Sequence, residues 1–314
     1  MKVLVTGAEG FAGSWLLRRL QREGHSVIAA ARPGAPGAAR LAADPSVRAM
    51  PLELGDSASV RMVVETGPDA VIHLAAVASG VDARRDPVGA WEVNAVGTAR
   101  LAEELGRTVM DRRGDPLLLL ASTAEVYGAG PATPRVETDS VRPVSAYAAS
   151  KLAGEIAALE VHRRTGLRVV IARAFAHTGR GQDERFVLPA LTRRLLLAKR
   201  VRAPAIKVGN LDPVREFMHV SDVVDAYCRL LTQGQSAEVY NVASGRGIPL
   251  GELLERLMDL VGYRVVTEAD PELVRPADIP YLVGDAAKLR AATEWSPRMA
   301  LDDVLAEVVD AQAN

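Results

Sequence analysis

The chain is poor in two residue types that often carry chemistry. It has a single cysteine, Cys228, which excludes an intramolecular disulfide framework and a cysteine-based zinc site. Because Cys228 lies in an apolar stretch, we interpret it as a packed thiol and not as a nucleophile. Lysine is also scarce, with five residues among the 38 lysines and arginines. A lysine at a mechanistically plausible position is therefore a stronger candidate for a functional residue. We also expect no metal in the site.

Long apolar runs and a strong net charge are absent as well. No segment has the roughly 20 consecutive apolar residues that a membrane-spanning helix requires, and the chain opens on a strand pattern with no apolar leader before it. The formal net charge of -1 at pH 7 gives no reason to expect nucleic acid or an anionic membrane as a partner. These absences favour a cytoplasmic protein that acts on small molecules.

A regular alternation of apolar strands and helices is present up to Phe175. Strands that are apolar throughout predict a parallel sheet covered by helices on both faces. The alternation weakens after residue 175 and returns at 220–244. We therefore predict a doubly wound α/β Rossmann domain (1–175 plus 211–244) and a smaller, interleaved C-terminal substrate domain (176–210 plus 245–314). The site is expected in the cleft between them.

A glycine-rich turn follows the first predicted strand. Gly7, Gly10 and Gly13 lie three residues apart, with Phe11 between them, and a helical pattern follows. In such a turn the first glycine allows a sharp bend, the second lets the backbone approach a pyrophosphate, and the third lets the helix pack on the sheet. A strand before and a helix after are the context that supports dinucleotide binding over a plain tight turn.

The end of the second predicted strand bears on the choice of dinucleotide. NAD enzymes place Asp or Glu there to bind the ribose hydroxyls, whereas this chain has three alanines and then Arg32. An arginine can pair with a 2′-phosphate, so the sequence favours NADP over NAD. Asp56, after the third strand, has two interpretations: it contacts the adenine edge, or it caps the helix that follows.

Tyr147 and Lys151 are four residues apart in a helical segment and so share one helix face. Hydride transfer at a carbonyl needs a proton partner for the oxygen, and a nearby ammonium and a positive nicotinamide favour the phenolate form of tyrosine. Ser122, Thr123 and Glu125 follow the preceding strand, at the edge where parallel sheets bind ligands. Thr123 can orient the substrate oxygen there; a capping or turn role for Ser122 and Thr123 is the alternative.

With these glycines, Thr123, Tyr147 and Lys151 in this order, the chain resembles the extended short-chain dehydrogenase/reductase family over essentially its whole length. The resemblance implies further ligand contacts: Leu74, Ala75, Ala76 and Asn94 beside the cofactor, and Arg215 and Arg275 at the diphosphate of a sugar nucleotide. His177 either contacts the substrate or is a loop histidine. The resemblance also implies a homodimer formed through the two long helices near 90–110 and 146–164.

Residues 207–224 and 275–289 look like GDP-mannose 4,6-dehydratases and, more closely, like GDP-4-keto-6-deoxy-D-mannose reductases. We therefore expect an NADPH-dependent reduction of the C4 keto group of a nucleoside-diphosphate 4-keto-6-deoxy-hexose, with Tyr147 as proton donor. The first alternative is a 4,6-dehydratase that uses Glu125 as acid and base, and the second is a 4-epimerase. A non-catalytic NADP sensor is a more distant alternative, because the Tyr147 and Lys151 pair is intact.

Overall fold

The computed structural model describes residues 1–273 and 278–313. Its strands are β1 (Lys2–Thr6), β2 (Ser26–Ala31), β3 (Arg48–Pro51), β4 (Ala70–His73), β5 (Leu117–Thr123), β6 (Arg168–Ala174), β7 (His177–Thr178), β8 (Ala205–Val208), β9 (Val214–Arg215), β10 (Met218–His219), β11 (Val239–Val242), β12 (Ile248–Pro249), β13 (Val266–Ala269) and β14 (Tyr281–Leu282).

The α-helices are α1 (Phe11–Arg22), α2 (Ala38–Ala42), α3 (Ser57–Val64), α4 (Gly80–Arg85), α5 (Pro87–Trp91), α6 (Thr98–Met110), α7 (Ala146–Thr165), α8 (Val187–Val201), α9 (Val220–Gln233), α10 (Leu250–Val261), α11 (Ala287–Thr293) and α12 (Leu301–Ala313). None of these described helices combines the length and the apolarity needed to cross a bilayer.

Seven strands form one parallel sheet in the order β11-β6-β5-β4-β1-β2-β3. The direction in which successive strands are added reverses between β1 and β4. In a doubly wound sheet this switch point opens a crevice at the carboxyl ends of the strands, where ligands bind. The predicted Rossmann α/β fold is confirmed, and the glycine-rich turn after β1 lies at the switch point.

Strand β1 shows why its residues form a fully covered strand. Val3 and Val5 pack on one face of the sheet, and Leu4 packs on the other, and all three have no exposed surface. Side chains alternate between faces along a strand, so an unbroken apolar run needs cover on both sides. Helices α1 and α9 provide it on the first face, and α3, α6 and α7 on the second. Each fully buried side chain of this size contributes about 2 kcal/mol.

A third apolar cluster lies outside the sheet. It is formed chiefly by α8, α10 and α12, with Leu195, Leu257 and Leu305 at its centre. These helices come from the two separate stretches predicted to form the substrate domain. Trp295, from the same part of the chain, packs instead against the first face of the sheet. The C-terminal part is therefore interleaved with the sheet, and the domain boundaries themselves stay a prediction.

The long helix predicted near residues 90–110 contains an irregular turn. Between α5 and α6, residues Glu92–Gly97 form a wider π-helical turn. The hydroxyl of Thr98 donates a 2.7 Å hydrogen bond to the carbonyl of Asn94, one turn earlier. A hydroxyl that takes up this carbonyl competes with the regular backbone bond, and such turns occur often at functional sites.

Candidate active site

The glycine-rich turn is shaped by close contacts within the chain. Gly7 has φ of +66°, a left-handed conformation that favours glycine. A Cβ atom at Gly7 would lie 2.7 Å from the backbone nitrogen of Ala75, and one at Gly13 would lie 2.4 Å from the carbonyl oxygen of Gly7. Both glycines are therefore required by the approach of one backbone segment to another, as the sequence predicts for Gly13.

Gly10 differs from the other two glycines. It is exposed, and a Cβ atom there would meet only the carbonyl oxygen of Gly7, at 3.3 Å. The chain itself therefore imposes little need for glycine at this position. Gly10 is also the N-cap of α1, and no side chain caps this helix end or places a negative charge in its first turn. A bare glycine at an uncapped helix N-terminus fits the pyrophosphate of a dinucleotide.

The segment after β4 lies directly against this turn. The backbone N–H of Leu74 donates to the carbonyl of Thr6, and that of Ala75 donates to the Thr6 hydroxyl, both at 3.2 Å. Ala76 follows them and is half-buried. These contacts bring residues 74–76 to the predicted cofactor crevice.

The side chain of Asn94 binds groups of the chain itself, and its contact with the cofactor stays a prediction. It is 1% exposed, its carbonyl oxygen accepts from Val77 N–H at 2.8 Å, and its amide nitrogen donates to Val77 and to the Ser150 hydroxyl. Ser150 in turn donates to the carbonyl of Tyr147. Since all these groups of Asn94 are used within the chain, its role is to tie the 74–79 segment to helix α7, beside the catalytic pair.

The predicted 2′-phosphate residue lies where the sequence places it. Arg32 is exposed and directly follows β2. The structure also brings a carboxylate to this position that sequence reasoning missed: Glu9, from the glycine-rich turn, accepts the backbone N–H of Arg32 at 3.3 Å. The second carboxylate oxygen of Glu9 is buried without a hydrogen-bond partner among the described residues. The sequence shows that Glu9 is an acidic residue within the glycine-rich turn. It does not show that the Glu9 side chain contacts the residue after β2.

Local contacts show that Asp56 caps a helix and where His177 lies; a substrate contact of His177 stays a prediction. Asp56 accepts the backbone N–H of Ala58 at 2.9 Å and caps α3, so the capping interpretation is correct for this structure. The Nδ1–H group of His177 donates to the Phe175 carbonyl, and the ring lies nearly parallel to that of Phe11, with centroids 6.3 Å apart. Burial lowers the pKa of His177. His177 and Phe11 thus form one wall beside the glycine-rich turn.

Tyr147 lies one residue inside the start of α7, which Ser145 caps. Burial raises the pKa of its phenol, the nearby Glu125 carboxylate raises it further, and a hydrogen bond with the Thr123 side chain acts in the opposite direction. The predicted trio of Thr123, Glu125 and Tyr147 therefore comes together. Without the cofactor, the pKa of Tyr147 is raised overall, because burial and Glu125 outweigh the hydrogen bond with Thr123. We expect Lys151 and the bound nicotinamide to lower this pKa.

Lys151 is 6% exposed and lies one helical turn after Tyr147. Its ammonium donates to the carbonyl of Ala121, at 2.5 Å, near the end of β5. Burial lowers the pKa of Lys151 to about 8, against the attraction of Glu155, which raises it. The group is therefore still cationic at neutral pH and is held at the carboxyl end of the sheet.

Ser122 does not join the substrate side of the site, contrary to our expectation. Its hydroxyl donates to the buried carboxylate of Glu155, which also forms a two-pronged ion pair with Arg173. Ser122 is thus part of the buried link between β5, β6 and α7. Neighbouring strand residues face different surroundings, which is why Thr123 reaches Tyr147 while Ser122 does not.

The predicted diphosphate residues lie in the C-terminal part. Arg215, on β9, is 15% exposed at its side chain and pairs with Asp278 at 2.8 Å. Arg275 lies outside the described residues. Arg215 therefore has an acidic partner that holds its guanidinium in place, a contact that spacing along the chain did not indicate.

Comparisons with known proteins agree with this geometry. The model of the NAD dependent epimerase/dehydratase family matches residues 3–243. The chain is 36% identical over 245 residues to the GDP-6-deoxy-D-mannose reductase of Pseudomonas aeruginosa, covering 77% of this chain and 79% of that protein.

Solved structures cover nearly the whole chain. The structure of RMD from Pseudomonas aeruginosa complexed with NADPH is 31% identical, with a TM-score of 0.83, and spans 99% of this chain and 98% of that one. The UDP-glucose 4-epimerase of Thermus thermophilus in complex with NAD is 29% identical, with a TM-score of 0.87 and 99% of each chain covered. The chain therefore belongs to the NAD-dependent epimerase/dehydratase family, in agreement with its sequence resemblance to the extended short-chain dehydrogenases/reductases.

Proposed function

We propose that the protein is an NADPH-dependent reductase of the C4 keto group of a nucleoside-diphosphate 4-keto-6-deoxy-hexose, with GDP-4-keto-6-deoxy-D-mannose as the first candidate. The observation that carries the proposal is the contact of Thr123 with a half-buried Tyr147 whose pKa is raised. A phenol with a raised pKa stays protonated at neutral pH, which is the form that a proton donor to a carbonyl oxygen needs. Similarity to the Pseudomonas reductase supports the substrate class.

In this proposal the chain's residues bind, orient and protonate the substrate. Thr123 donates a hydrogen bond to the carbonyl oxygen and fixes it beside the phenol, and Tyr147 gives its proton to that oxygen. The buried ammonium of Lys151 binds the ribose of the dinucleotide and stabilises the tyrosinate that remains. Arg215 holds the diphosphate of the substrate, with Arg275 as the second contact that the family resemblance implies. Bound NADPH supplies the hydride.

The preference for NADPH depends on Arg32. An exposed arginine after β2 attracts a 2′-phosphate, whereas Glu9, which contacts the backbone of Arg32, favours a ribose hydroxyl. The RMD structure with NADPH supports the proposal that the effect of Arg32 is stronger than that of Glu9. Replacing Arg32 by Ala is expected to weaken NADPH binding by about 10-fold or more and to leave NADH binding nearly unchanged. Fluorescence titrations with both dinucleotides measure this, and equal losses for the two would contradict the assignment.

A 4,6-dehydratase is the second candidate. Elimination of water across C5 and C6 needs an acid and base beside the tyrosine, and Glu125 is near enough to raise the pKa of Tyr147. The family also contains 4,6-dehydratases and 4-epimerases. In those reactions the hydride returns to the sugar, so there is no net consumption of the dinucleotide.

Cofactor consumption distinguishes these reactions. The enzyme is incubated anaerobically with NADPH and freshly prepared GDP-4-keto-6-deoxy-D-mannose, and separately with NADP+ and GDP-mannose, while absorbance at 340 nm is followed. We expect one NADPH to be consumed per keto sugar. Formation of a 4-keto sugar from GDP-mannose with NADP+ and without net production of NADPH would identify a dehydratase and overturn the proposal. No reaction of either substrate would favour another nucleotide base or a non-catalytic role.

We also propose a cytoplasmic homodimer that associates through α5, α6 and α7. Large apolar side chains are exposed on these helices and on the turn between α5 and α6, among them Trp91 at 43%, Val96 at 50% and Ile156 at 58%. Helices α6 and α7 pack against each other, so a partner could cover both. Exposed apolar groups of this size are typical of association surfaces.

A further inference from the structure

Arg135 is a buried arginine that lacks an acidic partner among the described residues. It is 5% exposed, and its Nε and Nη2 atoms are buried with no hydrogen-bond partner. A guanidinium keeps its charge at every working pH. Burial of an unpaired charge is strongly unfavourable, so an arginine in this state indicates an anion that binds to it.

A buried carboxylate that contacts the same segment as Arg135 has other partners. Glu216 has no exposed surface. Its oxygens accept backbone N–H groups of Ser244, Gly245 and Gly284 and the hydroxyl of Ser244. None of these donors is the side chain of Arg135, although Glu216 and Arg135 both bind the β14 segment. Glu216 therefore connects the loops at residues 244–245 and 284. It forms no ion pair with Arg135, so the charge of Arg135 can be neutralised by a ligand.

Backbone hydrogen bonds fix where Arg135 lies. Its N–H donates to Val283 and its carbonyl accepts from Asp285, each at 2.8 Å, which forms a parallel bridge to Gly284. Strand β14 pairs in turn with β9, and this register places Leu282 beside Arg215. Arg135 thus extends the small sheet that carries the predicted diphosphate-binding arginine.

The alternation of side chains puts the two arginines on one face of this small sheet. Paired residues in parallel strands face the same way, and so do residues two apart along one strand. Arg215 therefore shares a face with Leu282 and Gly284, and Arg135 shares it too. A Cβ atom at Gly284 would lie 2.4 Å from the ring of Phe175, so this face meets the carboxyl end of β6.

We propose that Arg135 is a further anchor for the diphosphate of the sugar-nucleotide substrate and acts together with Arg215. The inference rests on the proposed function, since the ligand is the nucleoside diphosphate of that substrate. Arg215 already pairs with Asp278, which offsets its charge, so Arg135 adds a cation to the contacts that the diphosphate makes with Arg215 and, by the family resemblance, with Arg275. A guanidinium can bind phosphate oxygens through two parallel N–H bonds.

The loop around Gly130 supports a preorganised guanidinium. A Cβ atom at Gly130 would lie 2.3 Å from Nη2 of Arg135, so the side chain packs directly on the glycine backbone. A cation held in place before the ligand arrives loses little conformational entropy on binding.

The test is the Arg135→Met variant of the full chain, with NADPH saturating the dinucleotide site. Calorimetric titrations with GDP and with guanosine measure the contribution of the diphosphate. We expect GDP to bind about 10- to 100-fold more weakly than to the unaltered protein, and guanosine to bind equally to both. Because the substitution removes an unpaired buried charge and nearly preserves volume, the thermal midpoint without ligand should be unchanged or higher.

The control is Arg200→Met, which removes an exposed arginine near the end of α8 and should change neither affinity. Equal GDP affinity in Arg135→Met and the unaltered protein would overturn the inference alone. A loss that also appears with guanosine would place Arg135 at the base and overturn it as well. Failure of Arg135→Met to fold would make the arginine structural and would likewise overturn the inference. If the unaltered protein binds no nucleoside diphosphate, the proposed substrate class fails together with the inference.

Discussion

At the scale of single residues, the phenol of Tyr147 is subject to opposing influences. Burial and the Glu125 carboxylate raise its pKa, and the hydrogen bond with Thr123 lowers it. A reductase needs this phenol protonated before the reaction and needs the tyrosinate stabilised afterwards. The chain supplies the first condition itself. The buried ammonium of Lys151, held by Ala121 at 2.5 Å, is placed to help with the second.

Glu125→Gln separates the two leading functions. Removing the carboxylate removes one cause of the raised pKa, so the pKa of Tyr147 should fall. Because the reductase is active with a protonated phenol, its activity is lost as pH rises through that pKa, and the basic limb of the pH–rate profile should move to lower pH. We expect kcat for ketone reduction to fall less than about 10-fold.

The measurement for Glu125→Gln is the rate of NADPH oxidation across a pH series. Glu160→Gln, which alters an exposed residue of α7, is the matched control and should leave the profile unchanged. A fall in kcat beyond about 1000-fold in Glu125→Gln would instead make Glu125 an essential acid or base, as in the dehydratase alternative.

Much of the catalytic centre was predictable at this scale, and the reason is geometric. The i, i+4 spacing puts Tyr147 and Lys151 on one helix face, and the end of a parallel strand puts Thr123 and Glu125 at the crevice. The roles of Ser122 and Asn94 were not predictable. Both side chains bind partners far away in the sequence, Glu155 and Val77, and spacing along one element does not report such contacts.

At the scale of elements, the turn from β1 to α1 separates a structural glycine from one that faces a ligand. Gly13→Ala forces a Cβ to within 2.4 Å of the Gly7 carbonyl and should cost about 1–3 kcal/mol of unfolding free energy. Gly10→Ala meets no such contact and should cost less than about 1 kcal/mol. Its added methyl should nevertheless lower dinucleotide affinity by about 10-fold or more, since it occupies the space of the pyrophosphate.

Urea unfolding and fluorescence titration with NADPH measure these two quantities for each variant, and each variant is the control for the other. If Gly10→Ala unfolds as easily as Gly13→Ala while still binding NADPH normally, Gly10 has a structural role. The assignment of the turn to the pyrophosphate would then be wrong.

The π-helical turn marks the limit of prediction at the level of elements. The apolar pattern of residues 88–111 predicts a continuous helix, and the chain is indeed helical there from α5 to α6. A single widened turn changes that pattern too little to be recognised. At this turn the hydroxyl of Thr98 donates to the carbonyl of Asn94, and it also binds the ring of His73 in the neighbouring strand.

At the scale of the whole molecule, buried histidine links stability to pH. His73 has no exposed surface and binds the hydroxyls of Thr6 and Thr98. Burial lowers its pKa to about 3, and the charge of Lys151 adds to the lowering. Between the usual value of about 6.5 and 3, the unfolded chain binds a proton that the folded chain does not. Stability should therefore fall as pH decreases through this window.

His73→Asn tests this linkage. The variant should be less stable at pH 7, because one of the two hydroxyl contacts is lost, and its stability should fall less steeply from pH 7 to pH 5. Urea denaturation at a series of pH values gives both results. Parallel curves for the variant and the unaltered protein would show that His73 does not contribute to the acid sensitivity.

The proposed dimer is also a property of the whole molecule. Ile156→Arg places a charge on the exposed face of α7 and should convert a dimer into a monomer of 33.4 kDa. Leu197→Arg, which alters a residue of α8 that is 50% exposed, is the control and should leave the mass unchanged. Light scattering after gel filtration measures both masses. A monomeric unaltered protein would contradict the homodimer.

The fold as a whole followed from the alternation of fully apolar strands with helices, since only a sheet covered on both faces buries such strands. The C-terminal part was less predictable. Its strands β9, β12 and β14 are two residues long, too short to show a periodic pattern. Arg135 joins this small sheet from a loop between β5 and α7, so its position depends on the assembled fold.

The transfer of hydride to the C4 carbon of a keto sugar is the central claim, and isotope labelling tests it most directly. NADPH that carries deuterium at both C4 positions of the nicotinamide is mixed with GDP-4-keto-6-deoxy-D-mannose, and NMR locates the label in the product. The account predicts one deuterium at C4 of the sugar with the unaltered protein, and a rate lower by about 100-fold or more with Tyr147→Phe. Deuterium at C6, or a Tyr147→Phe variant as fast as the unaltered protein, would contradict it.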